Sequence, residues 1–276
     1  MDVGGSHVTA ALVDGERVIQ RADADINPQG SADDILGAIA RVGLELGPQA
    51  GWTLAFPGPF DYARGIGTFE GVGKFGSIAG LDLRKELGAR LNAEVRFVDD
   101  ADAYIMGEWA AGAARGHERV IGVTLGTGVG AAFLVDGRPQ WGGTGVPAGG
   151  NLYPHSYLGR PIEDTVSTRA LLASYGADGV SVREVFERAR AGETSALSVV
   201  NGTMEHLGRF VAPFIVDFGA TVFVVGGSIS QSWDLIEPAL RRGLGDTDVA
   251  LAHSELLADA PLLGAALAAR RTARDE

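Results

Sequence analysis

The chain has 276 residues, 46% of them hydrophobic and 21% charged, with a net charge of −12 and no cysteine. That composition is globular and large enough for one big domain or two ordinary ones, it makes a nucleic-acid surface an unlooked-for outcome, and it removes disulfides, thiolate zinc sites and a cysteine nucleophile together. No apolar run approaches the roughly 20 residues of a membrane helix and no basic-then-apolar leader stands before the first strand, so the expectation is a cytoplasmic protein.

In chain order, "HVTAALV" reads as a strand, "DG" as a hairpin turn and "RVIQRADA" as the returning strand. Ser31 followed by early acidic residues, with Ile35, Ile39, Val42 and Leu46 at helical spacing, predicts a capped helix. "WTLAFPG" is a short buried strand ending in Pro57-Gly58, and "FDYARGIGTFEGVGKFGSIAG" is Gly-rich and aperiodic, an ordered loop. "LDLRKELGARL" is a helix, "EVRFV" a strand, and "ADAYIMGEWAAGAARG" a helix. Then "RVIGVTLGTGVGAAFLVDGRPQW" repeats the opening grammar of strand, Gly turn, strand and "DG" hairpin, which suggests a duplicated α/β unit. Residues 142–169 are irregular; long helical stretches cover about 181–191 and 194–218. A strand "TVFVVGG", a helix "SWDLIEPALRRGL" and a last helix "PLLGAALAARRTA" complete the chain.

Two features carry chemistry. Asp99, Asp100 and Asp102 stand where the strand "EVRFV" meets a helix. Asp is a favoured N-cap and suits the positive end of the helix dipole; a carboxylate at the carboxyl end of an α/β strand can equally be a catalytic base. Both readings are open from these residues alone. Gly turns also follow apolar strands at Gly4-Gly5-Ser6, Pro57-Gly58, Gly126-Thr127-Gly128 and Gly226-Gly227. Glycine admits positive φ and close ligand approach, and consecutive N–H groups in such turns cradle anions. "GTGVG" joins two strands and lacks dinucleotide-fingerprint spacing, and there is no Gly-Lys-Ser/Thr phosphate loop.

Taken as a set, "DVGGSHVTAALVDG", "FPGPFD", "VDDADA" and "VTLGTGVGAAFLVDGR" resemble the ROK family (repressors, open reading frames and sugar kinases) of the sugar kinase/actin/heat-shock-protein superfamily, over nearly the whole chain. The resemblance implies an α/β fold of two ribonuclease-H-like, actin-like ATPase lobes with an interlobe cleft. It divides the chain into an N-terminal lobe at 1–107, with a last helix near 261–274 packing back on it, and a C-terminal lobe at 108–260. It implies ATP-dependent phosphorylation of a hydroxyl of a hexose or hexose-like sugar, with ATP and Mg²⁺ as cofactors, a small sugar as partner, no nucleic acid, no membrane, and a homodimer as many relatives form.

Residue by residue, the resemblance assigns Asp100 as general base and leaves Asp102 as the helix cap. Asp2, Gly4, Gly5 and Ser6 fall on the first phosphate loop, with Asp2 acting on Mg²⁺ through water. Gly126, Thr127 and Gly128 fall on the second, and Gly226 and Gly227 on the adenosine loop. Pro57, Gly58 and Gly65 fall on the sugar-cleft wall, with Asp99, Asn151 and Glu163 also toward the sugar. This sequence departs from the family in the zinc loop, whose cysteines are missing, and in the preceding Glu-x-Gly-His, where Gly150 and Tyr153 stand instead. Asp99 replaces an Asn. An ionised Asp only accepts hydrogen bonds, whereas Asn also donates, so an amino sugar or cyclitol competes with glucose as the expected acceptor. A non-catalytic sugar or ATP sensor is the alternative of another class. The family's repressors carry a helix-turn-helix before the first phosphate loop, and with that loop at Asp2 a repressor is not expected.

Overall fold

A computed structural model describes residues 1–71 and 73–275, with side chains as far as Arg271. The chain divides into two compact units, one of residues 1–111 together with the segment from 258 onward, the other of residues 112–257.

The first unit contains β1 (Asp2–Val3), β2 (His7–Asp14), β3 (Arg17–Asp25), α1 (Ala32–Glu45), β4 (Gly51–Phe56), β5 (Phe60–Asp61), β6 (Ile66–Gly67), α2 (Leu83–Leu91), β7 (Glu94–Asp99) and α3 (Asp100–Ala111). Its five-stranded sheet runs in the order β3-β2-β1-β4-β7. β1 to β3 form an antiparallel meander, whereas β4 and β7 run parallel to β1. The helices begin where the local chemistry directs. Ser31 caps α1 in a reciprocal capping box with Asp34, and Asp82 accepts from Lys85 N to cap α2. Ile35, Leu36, Ile39 and Val42 of α1 face the core. Phe56 of β4 and Phe97 of β7 join Phe60, Phe69 and Phe75 in an aromatic cluster, with ring centroids from 4.9 to 6.1 Å apart. Phe56 and Phe75 are fully buried, and burying such a side chain stabilises by about 1.5–3 kcal/mol.

The second unit contains β8 (Arg119–Leu125), β9 (Val129–Val135), β10 (Arg138–Pro139), β11 (Ser156–Tyr157), β12 (Arg160–Pro161), α4 (Glu163–Val166), α5 (Thr168–Tyr175), α6 (Val182–Arg190), α7 (Thr194–Phe218), β13 (Val222–Gly226), α8 (Trp233–Leu244) and β14 (Ala250–His253). Its main sheet, β10-β9-β8-β13-β14, has the same plan: an antiparallel meander followed by two strands parallel to β8. The repeated grammar of the sequence is thus a repeated sheet. β13 is buried at every position, as a central parallel strand must be. The last helix, α9 (Ala260–Asp275), belongs to the first unit and packs on α3. Gly107 and Gly264 permit that close crossing, since a Cβ on either would strike the backbone of Ala260 or Ala103.

The α/β class with two mixed five-stranded sheets agrees with the sequence. Several details differ. The aperiodic stretch after Gly58 contains the short β5–β6 hairpin, the helix after β7 stops at Ala111, β14 and α5 were not read from the sequence, and residues 142–169 hold the β11–β12 hairpin and α4. Strands of two residues carry no periodicity, and "ALAH" has no β-branched residue to announce it.

Candidate functional site

Parallel pairing brings the ends of β1, β4 and β7 to one edge of the first sheet. Asp2 pairs with Ala55, and Ala55 with Val98, so Gly4-Gly5, Pro57-Gly58 and Asp99-Asp100 all emerge there. This is the carboxyl edge, where α/β sheets present their ligand groups. The Gly turn is closed by Gly4 N donating to His7 O at 2.9 Å.

The three aspartates have different partners. Asp99 pairs with Phe56 as the last residue of β7. Its Oδ1 accepts from Ala101 N at 3.0 Å and Asp102 N at 3.1 Å, so Asp99 caps α3. The expectation that Asp102 is the cap is therefore corrected: the strand extends through Asp99, the helix starts one residue later, and Asp102 lies buried in its first turn. The other oxygen of Asp99 accepts from the Tyr62 hydroxyl at 2.8 Å, which also sits 3.1 Å from Phe56 O. Asp100 accepts from Ala101 N at 2.8 Å.

Asp100 is a solvent-exposed residue, but its carboxyl lies among enough protein to bury it in part. That burial, then the charges of Asp99 and Asp2, raise its pKa to about 7, against an opposing pull from Lys74 and the bond from Ala101 N. Burial also pushes Asp99 up, opposed by the bonds from Tyr62, Asp102 N and Ala101 N. Asp2 is raised by burial, partly offset by the N-terminal amine and His7. Tyr62 is held far above its ordinary value by burial and the neighbouring carboxylates, so it stays a donor. A carboxylic acid poised near neutrality is suited to accept a proton at physiological pH.

In the second unit, Gly126-Thr127-Gly128 form the turn between β8 and β9, with Gly126 N donating to Gly128 O at 3.1 Å. Glu163, at the start of α4, accepts from Val129 N at 3.1 Å, and a Cβ on Gly128 would lie 2.8 Å from its Oε2. Thr168 N donates to Gly126 O at 2.9 Å, so this segment is bonded to the turn twice. Gly226 ends β13 beside Thr124, and Gly227, at φ 82°, abuts the backbone of Leu125 so closely that no side chain fits. Asn151 has a local partner, Gly149 O at 3.0 Å. Gly65 is buried and bonds to Asp61 O and Leu83 N through its backbone.

Within each unit the named residues thus gather: Asp2, Gly4, Gly5, Pro57, Gly58, Asp99 and Asp100 at one sheet edge, and the second Gly turn with Glu163 and Gly227 at the other. Sequence reasoning passed over Tyr62 and Lys74. Both lie in the loop after Pro57, where a lone tyrosine and a lone lysine among glycines were the available signal. In place of a zinc loop, the β11–β12 hairpin is held by aromatic contacts, Tyr157 with His206 and Phe210, and His155 with Phe214. Among the described residues no group of three or more His, Asp or Glu is arranged to hold a metal, and no helix is long and apolar enough to cross a membrane.

A family model described as the ROK family matches residues 1–272. The chain is 26% identical over 302 residues to a glucokinase of Thermotoga maritima, covering 96% of this chain and 95% of that protein. It is 25% identical over 257 residues to an N-acetyl-D-glucosamine kinase of Pectobacterium atrosepticum, covering 83% of each. Among solved structures, the ROK hexokinase from Thermus thermophilus matches with a TM-score of 0.81 at 27% identity, covering 100% of this chain and 98% of that one.

Proposed function

Since the chain belongs to the ROK family, as one of its sugar kinases, we propose that it transfers the γ-phosphoryl group of ATP to a hydroxyl of a hexose or hexose-like sugar, with Asp100 as general base. The observation that carries this reading is the position of Asp100, at the carboxyl edge of β7 with Asp2 and Asp99 near it. A sugar hydroxyl is a poor nucleophile at neutral pH, and a carboxylate within hydrogen-bond reach takes its proton as the phosphoryl group moves.

The remaining residues divide the work. Backbone N–H groups of Gly4, Gly5 and Ser6, and of Gly126, Thr127 and Gly128, receive the phosphates. Gly226 and Gly227 line the adenosine. Pro57, Gly58, Asn151 and Glu163 serve the acceptor, whereas Gly65, buried with both backbone groups bonded, shapes the loop that follows Pro57. Asp2 offers a hard oxygen donor, half-buried beside the first Gly turn, which fits Mg²⁺ held through water. Mg²⁺ bound with the nucleotide would neutralise phosphate charge.

The acceptor reading shifts with the geometry. Asp99 looked like a group that selects an amino substituent, but its oxygens are already occupied by Ala101 N, Asp102 N and Tyr62. That favours a neutral hexose. An N-acetylated amino sugar, whose amide carries no charge, is the second reading, supported by the likeness to N-acetyl-D-glucosamine kinase. The test is ADP release with Mg²⁺ over glucose, mannose, allose, N-acetylated hexosamines, free amino sugars and cyclitols. A neutral hexose should give the highest kcat/KM. A preference for a free amino sugar would reverse the acceptor assignment, and silence with every acceptor while ATP still binds would favour a sensor.

A further inference from the structure

Among 23 Lys and Arg residues in the chain, only Lys74 and Lys85 are lysines. Lys85 is on the exposed side of α2. Lys74 is half-buried in the loop between β6 and α2, and its placement has a definite construction. The next residue, Phe75, is fully buried in the aromatic cluster and donates from its N to Pro28 O at 2.7 Å. Ser77 Oγ donates to Gly30 O at 2.7 Å. Anchored in this way, the loop lays the lysine stem against the first Gly turn. A Cβ on Gly5 would stand 3.8 Å from Lys74 Cδ. The ammonium group is also near enough to Asp100 to oppose the effect of Asp99 and Asp2 on it.

A cation held between a phosphate-binding turn and the general base has one evident use. Resting on the kinase reading above, we propose that Lys74 is a catalytic residue whose ammonium group contacts the phosphoryl group in transit from ATP to the sugar. In that step the acceptor oxygen bonds to the γ-phosphorus as the bond from that phosphorus to the β–γ bridging oxygen breaks. The hydroxyl proton passes to Asp100, ADP leaves with the electron pair, and Lys74 remains protonated throughout. The transition state spreads negative charge over the equatorial phosphoryl oxygens. Asp2, Asp99 and Asp100 crowd the same edge with carboxylates, so a fixed ammonium offsets charge where it develops. Lysine acts there as a compact point charge with rotatable donors.

The experiment compares Lys74→Met, Lys74→Arg, Lys74→Ala and Asp100→Asn by steady-state kinetics with ATP, Mg²⁺ and the best acceptor of the panel. Melting temperature is monitored for each. The expected result for Lys74→Met is a kcat about 100-fold lower, as for loss of one transition-state donor, with KM for ATP and acceptor within about threefold. Lys74→Arg should recover at least a tenth of wild-type kcat, and added methylammonium should partly restore Lys74→Ala, which a structural role for the side chain would not allow. An unchanged kcat in folded Lys74→Met overturns the proposal and leaves the kinase reading intact. A raised acceptor KM at constant kcat also overturns it, making Lys74 an acceptor-binding group. Retained turnover in Asp100→Asn would instead overturn the reading on which the proposal rests. If Lys74→Met does not fold, Lys74→Arg and the amine rescue of Lys74→Ala decide the matter.

Discussion

Replacing Asp99 with Asn should move the pH profile of turnover downward, by an amount set by the charge it removes. Asn Oδ1 can keep both cap bonds from Ala101 N and Asp102 N. The amide nitrogen then takes the place of the oxygen that Tyr62 now contacts. The Tyr62 hydroxyl can accept from it and donate to Phe56 O, already 3.1 Å away. The fold is therefore retained and a negative charge beside Asp100 is lost. That charge is the larger of the two that, after burial, lift Asp100 from 3.8 to about 7. Two charges on neighbouring residues with water nearby interact by about 1.4 kcal/mol, which corresponds to about one pH unit. The acid limb of kcat/KM should then fall from near 7 to near 6. Relative to each enzyme's plateau, kcat/KM at pH 6 should rise roughly fivefold, and at pH 8 it should change by less than about 1.2-fold. The assay is direct quantification of ADP from pH 5 to 9 with one fixed acceptor. The plateau reads acceptor binding, whereas the midpoint reads charge. A midpoint that stays in place or rises, in a protein of unchanged melting temperature, refutes the electrostatic account of Asp100.

Other substitutions test the scaffold. Gly227→Ala should cost about 2–4 kcal/mol, because its Cβ would enter the Leu125 backbone at a positive φ; calorimetry showing a wild-type melting temperature would contradict this. Phe75→Ala should cost about 3–5 kcal/mol through the cavity left in the aromatic cluster, read by urea denaturation. Asp100→Asn should gain stability relative to wild type as pH rises. A pKa raised to about 7 means the linked stability is complete below the unfolded value of 3.8 and is lost as pH climbs through 7, so the difference in melting temperature between mutant and wild type should be more positive at pH 8 than at pH 4.

The strand–glycine–strand pattern was legible because apolar runs and glycines mark β1–β2 and β8–β9 directly, and the two meanders share one plan. The aspartate cluster was legible as a site but not as an arrangement. Asp99, Asp100 and Asp102 are equally good caps in a local sequence, and only the pairing of Phe56 with Asp99 decides where the strand stops and which side chain reaches Ala101 N. Tyr62 and Lys74 escaped because their partners are distant in sequence and the loop that carries them has no period. The hydroxyl of Tyr62 meets a residue 37 positions away. The stem of Lys74 lies against Gly5, far earlier in the chain.

The central claim is that Asp100 takes the acceptor's proton. Its most direct test is the turnover of Asp100→Asn at saturating ATP, Mg²⁺ and acceptor, with calorimetric binding of a non-hydrolysable ATP analogue measured on the same preparation. The account predicts a kcat at least ~100-fold lower with analogue affinity within about threefold of wild type. Wild-type turnover in a folded, nucleotide-binding Asp100→Asn protein would contradict it.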